Sequence, residues 1–318
     1  MRGAPEDVPT SMLLTRVGAF VRLGRPIFLV GGFAFYGLGA AMAALRVPSI
    51  DWRLFFWGQL AVTSIQLMTH YANDYFDLEA DRANTTPTQW SGGSRVLPNG
   101  ELSPSVALAA ALVFAGMGLF STFTLGAFFS APLSVCLLLV GALLLAWVYS
   151  APPVSLHSRG LGELDTAVIM TLLLPLAGYG LQAGAIDVWA IATVTPLFFL
   201  QFAMILAVEF PDELGDAAVG KRTLVVRMGA NRAGLLYALT LMLPYISLLA
   251  LTKVGMPTAA ALAFLALSPL AGYLVFTVAR GGHFDSRSWN RIAFLTTALL
   301  VASALLELGA FLTLGRRA

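Results

Sequence analysis

The chain is short of charge. Of its 318 residues only 11% are Asp, Glu, Lys or Arg, against about 25% in an ordinary soluble domain. It has one cysteine, Cys136, which sits inside an apolar run. No intrachain disulfide can form, and the residue reads as a small buried hydrophobe rather than a reactive thiol. The three histidines, His70, His157 and His283, include no pair at zinc-binding spacing, so a zinc site is excluded. No polar domain with clustered Lys and Arg is present, which removes nucleic acid as a partner. Low-complexity segments are absent too. The first residues hold Arg2, Glu6 and Asp7 and no short apolar core ahead of a small-residue cleavage site, so no removable signal peptide is expected.

Apolar residues fill the gap, at 58% of the chain. Nine runs are long enough to cross a bilayer, which takes about 20 residues of helix. They cover 27–45, 54–71, 106–125, 131–149, 165–183, 188–208, 235–251, 257–278 and 292–314. The expected fold is therefore all-α: a polytopic membrane protein of about nine transmembrane helices, bundled around a central cavity, in one domain over 1–318. Only residues 126–130 separate the third run from the fourth, and no charge marks that turn. Residues 1–25 are expected to lie at the interface, because 13–25 mix Leu, Val and Phe with Arg16, Arg22 and Arg25.

Orientation follows from the bases. With the N-terminus in the cytoplasm, fourteen of the nineteen Lys and Arg residues fall on inner segments. Arg46, Arg53, Lys253, Arg316 and Arg317 fall on outer ones. The bias is positive-inside. The long polar connections, 79–103, 151–163 and 211–232, then all lie on the cytoplasmic face, where function is expected.

Two acidic triplets stand out. Asp74, Asp77 and Asp81 follow the second run, spaced three and then four. At about 100° per residue they share, with Asn73, one arc of a helix. Glu209, Asp212 and Asp216 follow the sixth run at the same spacing, offset by 135 residues from the first set. Even-numbered spans run the same way, so both triplets emerge on one face. Like charges beside hydrocarbon repel one another and resist desolvation, so something cationic belongs among them. Carboxylate oxygens suit Mg²⁺, which is commonly shared between one or two carboxylates and substrate phosphates. Lys221 and Arg222 follow the second triplet, Arg82 and Arg95 flank the first, and Arg22 and Arg25 precede the first span. Acids, metal and bases together make a diphosphate clamp opening into an apolar bundle. The ligand so implied has a diphosphate head and a hydrocarbon tail.

Each feature has a plainer reading. One acidic triplet after a span is often a solvated cap, and Lys221 and Arg222 alone would be positive-inside markers. His70, one turn before Asp74, reads as a hydrogen-bonded lining residue, and His157 and His283 as solvated. The run 91–95, Ser-Gly-Gly-Ser-Arg, can wrap phosphate oxygens with backbone N–H groups or be a simple turn. Tyr149 can face a cationic intermediate or belong to an interfacial tyrosine belt.

These residues together resemble the UbiA superfamily of intramembrane prenyltransferases. The stretch 73–81 fits Asn-Asp-x-x-Asp-x-x-x-Asp, and 212–216 fits Asp-x-x-x-Asp. Tyr-Ser-Ala-Pro-Pro at 149–153, Arg-Gly-Leu-Gly-Glu at 159–163 and Gly-Lys-Arg-Thr at 220–223 extend the likeness over nearly the whole chain. The resemblance implies Mg²⁺-dependent transfer of an isoprenyl group from a polyprenyl diphosphate to an electron-rich, often aromatic, acceptor through an allylic cation. By matched position it implies Asn73, Asp74, Asp77 and Asp81 from the first motif, Asp212 and Asp216 from the second, and Lys221. Asp74, Asp77, Asp212 and Lys221 carry the catalysis on this reading. Asp74, Asp77, Asp81, Glu209, Asp212 and Asp216 hold metal, and Asn73, Arg22, Arg82, Arg95, Tyr149, Lys221 and Arg222 hold substrate. Many members carry asparagines where this chain has Val208 and Glu209, which leaves the acceptor open.

The stretches 73–77 and 92–97 look most like the 1,4-dihydroxy-2-naphthoate branch, which makes menaquinone precursors. The 4-hydroxybenzoate, homogentisate, chlorophyll and ether-lipid branches share the motifs, as do terpene cyclases. A cation-coupled transporter is the alternative from another class, kept open by Glu307 inside the last span. Oligomeric state is not legible.

Overall fold

The structure is a computed structural model describing residues 10–85 and 87–315. Arg2, Arg316 and Arg317, and the first nine residues of the interfacial segment, lie outside the described residues. Every regular element described is helical. In chain order they are α1 (Thr10–Leu23), α2 (Pro26–Ala43), α3 (Trp52–Phe76), α4 (Leu78–Ala83), α5 (Pro104–Phe129), α6 (Leu133–Ser150), α7 (Gly162–Val168), α8 (Leu174–Ala183), α9 (Val188–Glu209), α10 (Glu213–Ala218), α11 (Leu224–Met228), α12 (Ala230–Lys253), α13 (Thr258–Leu265), α14 (Ser268–Ala279) and α15 (Ser286–Gly315). A π-helical turn, Ile169–Leu173, joins α7 to α8, and a 3₁₀ turn, Phe210–Asp212, joins α9 to α10.

Among the described residues eight helical stretches are both long and apolar enough to cross a membrane. Nine were expected. The helix outside the eight is α3, which occupies the second expected place. At 25 residues it has the length, but Gln59, Gln66, His70, Asn73 and Asp74 dilute its apolar character. A helix that carries half of a polar site cannot also be a clean hydrophobic span.

Local chemistry sets the helix ends. Asp51 caps α3 by accepting from the backbone N–H of Arg53 at 2.8 Å, and Asp187 caps α9 by accepting from Ala190 N–H at 2.8 Å. Pro26 and Pro104 occupy first turns, where a missing N–H costs nothing. The unmarked turn between the third and fourth runs is made by Ser130. It adopts the left-handed conformation (φ 53°), and Ala131 N–H donates back to Leu125 C=O at 3.0 Å. That device needs no charge, so the charge pattern could not show it.

Close packing of α2 on α8 rests on small residues. A Cβ on Gly39 would strike the Pro175 carbonyl, and one on Gly178 the Tyr36 carbonyl. The main core spans Tyr36, Met42, Ile65 and Met68 through Leu197, Tyr237 and Phe311. A smaller cluster joins Ala19 and Leu23 of α1 to Tyr71, Val96 and Leu97. Tyr71 adds a hydrogen bond to Phe20 C=O at 2.9 Å. Helix α1 ends at Leu23, two residues short of the expected limit, and the anchored turn that follows carries Arg25 inward.

Candidate active site

The two acidic triplets meet at one end of the bundle, where α4 packs on α10. They enclose a polar cavity of about 110 Å³. Asp77 and Asp81 line it from one side, and Glu209, Asp212 and Asp216 from the other. The first triplet does not stay on a single helix. α3 stops at Phe76, and Asp77 takes a bridge-region conformation (φ −90°, ψ 3°) before α4 begins. The second is bent in the same way by the 3₁₀ turn around Pro211.

Asp74 is the residue this rearrangement sets apart. It is buried, does not line the cavity, and is bound by the Arg25 guanidinium, by the Ser94 hydroxyl and by Ser94 N–H at 3.2 Å. Arg25 itself sits in a left-handed turn (φ 46°) at the start of α2 and also lines the cavity. Burial works against its charge, but the Asp74, Asp81 and Asp77 carboxylates outweigh burial and raise its pKa.

Asp77 is the hub. Its Oδ1 lies 2.5 Å from His157 Nε2, and its Oδ2 accepts from Lys221 Nζ at 3.1 Å and from Asn73 Nδ2 at 2.9 Å. Burial would raise its pKa, but Lys221 and His157 outweigh burial and hold it well below the usual carboxylate range. Lys221 also lies 3.5 Å from Asp216 Oδ1, so one ammonium bridges the two triplets. Burial alone would lower its pKa; Asp77 and Asp216 raise it instead, and it is charged at any physiological pH. Asp81 differs. It is buried, one carboxylate oxygen has no partner, and burial together with Asp77 and Asp74 pushes its pKa up to about 7.

The connection after α4 closes the cavity. Gly92 N–H donates to Asp212 Oδ2 at 3.3 Å, and Asn84 Nδ2 donates to Asp212 Oδ1 at 2.7 Å. Gly92 and Gly93 both have positive φ, 76° and 72°, and a Cβ on Gly93 would strike the Asp81 carboxylate. Only glycine lets this loop lie on the acids. Its N–H groups serve the triplets themselves: Gly92 holds Asp212 and Ser94 holds Asp74.

Several expectations change here. His157 is not solvated: it is buried, with Nδ1 2.7 Å from Tyr149 C=O. His283 is buried too. His70 Nδ1 lies 2.7 Å from Gly24 C=O, as a lining residue should. Cys136 is half-buried rather than enclosed. Arg22 and Arg82 do not line the cavity; they form exposed ion pairs with Glu101 and Glu79. Arg222 is exposed, and its N–H donates to Ser158 C=O at 3.1 Å. Arg95 turns back to the Asp81 carbonyl. Of the bases considered, Arg25 and Lys221 face the cavity. Glu163, which faces Glu209 and accepts from Leu224 N–H at 3.0 Å, was not singled out by spacing at all. Sequence alone had no signal for it beyond its place in the 159–163 stretch.

Among the described residues no three His, Cys, Asp or Glu side chains converge closely enough to hold an ion by themselves. The donor set nonetheless fits a hard cation that takes some ligands from substrate and water. Every acid present offers oxygen, and Asp81 Oδ2 and Glu209 Oε2 are buried without partners. Five carboxylates line the cavity against two cationic side chains, Arg25 and Lys221. A diphosphate would be repelled from such a cavity unless cations came with it.

A second cavity of about 450 Å³ adjoins the first. Arg25, Asn73, Trp90, Tyr149, Ile205 and Val208 line both. Its remaining wall is mostly apolar, with Phe28, Phe35, Ile65, Met170, Met204 and Phe294. A polar head chamber thus opens on an apolar tail chamber. A family model for the UbiA prenyltransferase family matches residues 32–297.

The chain belongs to the UbiA prenyltransferase family. Like its UbiA relatives it is a prenyl-transferring enzyme, built as a multi-pass integral membrane protein. It is 26% identical to the 1,4-dihydroxy-2-naphthoate octaprenyltransferase of Bacillus subtilis over 236 residues, 74% of this chain and 73% of that one. It is 30% identical to the digeranylgeranylglyceryl phosphate synthase of Methanoregula boonei over 205 residues, 62% of this chain and 66% of that one. A solved UbiA homologue from Archaeoglobus fulgidus, bound to DMAPP and Mg²⁺, superposes with a TM-score of 0.58 at 16% identity, covering 91% of this chain and 99% of that one. UbiA membership also removes the need for a transporter reading of Glu307, which is fully buried in α15.

Proposed function

We propose that this UbiA protein transfers a polyprenyl group from its diphosphate to a hydroxylated aromatic acceptor, with 1,4-dihydroxy-2-naphthoate as the preferred candidate. The observation that carries it is the pair of joined chambers, one acidic and one apolar, divided at Arg25, Asn73 and Tyr149. The Bacillus subtilis relative's name supports the acceptor. Positive-inside bias supports a cytoplasmic N-terminus and a cytoplasmic active site.

Asp77, Asp81, Glu209, Asp212 and Asp216 would hold Mg²⁺, with Asp74 acting through Arg25 and Ser94 to keep that pair in place. Mg²⁺ held there would offset the negative charge that gathers on the diphosphate as it leaves. Arg25 and Lys221 reach the same chamber and bind phosphate oxygens as the C–O bond breaks and its electron pair leaves with the diphosphate. His157 and Asn73 fix the Asp77 carboxylate, so Lys221 is held on station. Tyr149, at the junction, presents its ring to the allylic carbon that becomes electron-poor. The apolar wall excludes water that would quench it. The acceptor ring carbon then supplies the new bond, and the ring gives up one group, a proton in the simplest case.

Purified protein assayed with prenyl diphosphates of several lengths and a panel of hydroxylated aromatic acceptors, with product mass spectrometry, tests this. A prenylated dihydroxynaphthalene is expected, with the carboxyl group retained if the ring gives up a proton and lost as CO2 if the carboxyl-bearing carbon is attacked. A glycerol ether or a cyclised hydrocarbon in its place would move the protein to another branch of the family. Asp212→Asn should lower turnover by about a hundredfold or more, the size set by several kcal/mol of lost charge stabilisation. EDTA should stop the wild type and Mg²⁺ restore it; indifference to chelation would remove the metal from the proposal.

A further inference from the structure

We propose that Asp165 is the acceptor-binding residue of the larger cavity and that it selects acceptors bearing a free hydroxyl group. This rests on the prenyltransferase reading above and names a group that neither acidic motif contains.

Asp165 lies on α7, two residues after Glu163. Two residues turn a helix by about 200°, so the two acids face opposite ways. Glu163 meets Glu209 and the N-terminus of α11 beside the polar chamber. Asp165 lines the apolar one. It is 5% exposed, and neither of its carboxylate oxygens has a partner. The neighbouring hydroxyl does not help: Thr166 Oγ1 is committed to Gly162 C=O at 3.0 Å. The π-helical turn that follows at once, Ile169–Leu173, is a feature that recurs at functional sites.

An unpaired carboxyl in such a wall is costly in either protonation state. Ionised, it is a desolvated charge; protonated, it is a donor without an acceptor. The chain supplies no partner for either oxygen, and the cavity that Asp165 lines has room for a ligand that does. A hydroxyl satisfies both forms, because it donates and accepts. A ligand carboxylate would satisfy only the protonated form. Gln66, which lines the same cavity, adds a second requirement. Its Nε2 donates to Phe28 C=O at 3.4 Å, while its Oε1 is buried without a donor. Two hydrogen-bond acceptors therefore wait for donors in one mostly apolar cavity. A hydrocarbon tail offers none. An aromatic acceptor carrying hydroxyl groups offers them, with a flat apolar body for the remaining wall.

The test is saturable binding of 1-naphthol and 1-methoxynaphthalene to the full chain in detergent, followed by fluorescence and kept anaerobic. Wild type should prefer the naphthol by about tenfold or more, the worth of satisfying a buried polar group that otherwise lacks a partner. Asp165→Leu should erase the preference by weakening naphthol alone. Asp165→Asn, nearly isosteric and safe if the leucine variant does not fold, should reduce it. In turnover, both variants should raise KM for the acceptor while leaving KM for the prenyl diphosphate within about twofold. A naphthol preference unchanged in Asp165→Asn, or a shift in diphosphate KM equal to that for the acceptor, overturns the assignment. Binding is read without catalysis, so a wild type that binds naphthol selectively but transfers no prenyl group would sink the proposed reaction and leave this site standing.

Discussion

Asp81 and Asp77 stand four residues apart and have opposite electrostatic fates. Asp77 is paired with Lys221 and His157 and stays ionised, whereas Asp81, buried beside like charges, has its pKa pushed up from 3.8 to about 7. The sign for stability follows. The folded state binds the Asp81 proton more tightly than the unfolded chain does, so this contribution is fully present below the ordinary value near 4. It is lost as pH rises through 7. Cation binding needs the deprotonated carboxylate. Affinity for Mg²⁺ should therefore climb between pH 6 and 8, by up to about tenfold per unit below pH 7. Isothermal titration of the metal at several pH values checks this, and Asp81→Asn should flatten the slope. A flat profile in the wild type would show that Asp81 takes no part in holding the ion.

At the scale of elements, the breaks matter more than the helices. α3 and α9 bring the acids to one end of the bundle, but the turns at Asp77 and Phe210–Asp212 aim them. The loop bearing Gly92 and Gly93 then locks Asp212 by a backbone N–H and lies directly on Asp81. Gly93→Ala should push the Asp81 carboxylate aside and place a Cβ in the left-handed region (φ 72°). A cost of about 1 kcal/mol or more is expected. Thermal unfolding in detergent should show a lower midpoint, and Mg²⁺ affinity should fall with it. Gly100→Ala is the control, since it shares a positive φ (73°) but meets nothing within 4 Å. Equal loss of metal affinity in both would mean that the loop's backbone, not its contact with Asp81, is what the glycine protects.

For the whole molecule, the distribution of Lys and Arg predicts the orientation in the bilayer. The bases favour a cytoplasmic site, and a cysteine-accessibility experiment reads this directly. After Cys136→Ala, single cysteines at the exposed positions Asn99 and Ser49 report opposite faces. An impermeant maleimide added to intact cells should label Ser49→Cys, and Asn99→Cys only after lysis. The reverse pattern would invert the topology while leaving the site intact.

Composition and apolar run length were enough to reveal a helical membrane protein, because a bilayer demands about 20 apolar residues per crossing wherever the chain goes next. Matched spacing was enough to pick out Asp77, Asp81, Glu209, Asp212 and Asp216, because each set lies within one local stretch whose period a helix dictates. Proximity in three dimensions decided the rest. Asp74 shares the period of its neighbours, yet Arg25 and Ser94 claim it. Arg22 and Arg222 look equivalent to Arg25 and Lys221 along the chain, yet turn outward to other partners or to solvent. His157 reads as an ordinary loop residue until its ring reaches Asp77 from 80 positions away. Asp165 looks like the edge of a span until its cavity is seen. Periodicity encodes which face of a helix a residue shares, but not which other helix that face will meet, and ion pairs, burial and cavities are all made at that meeting.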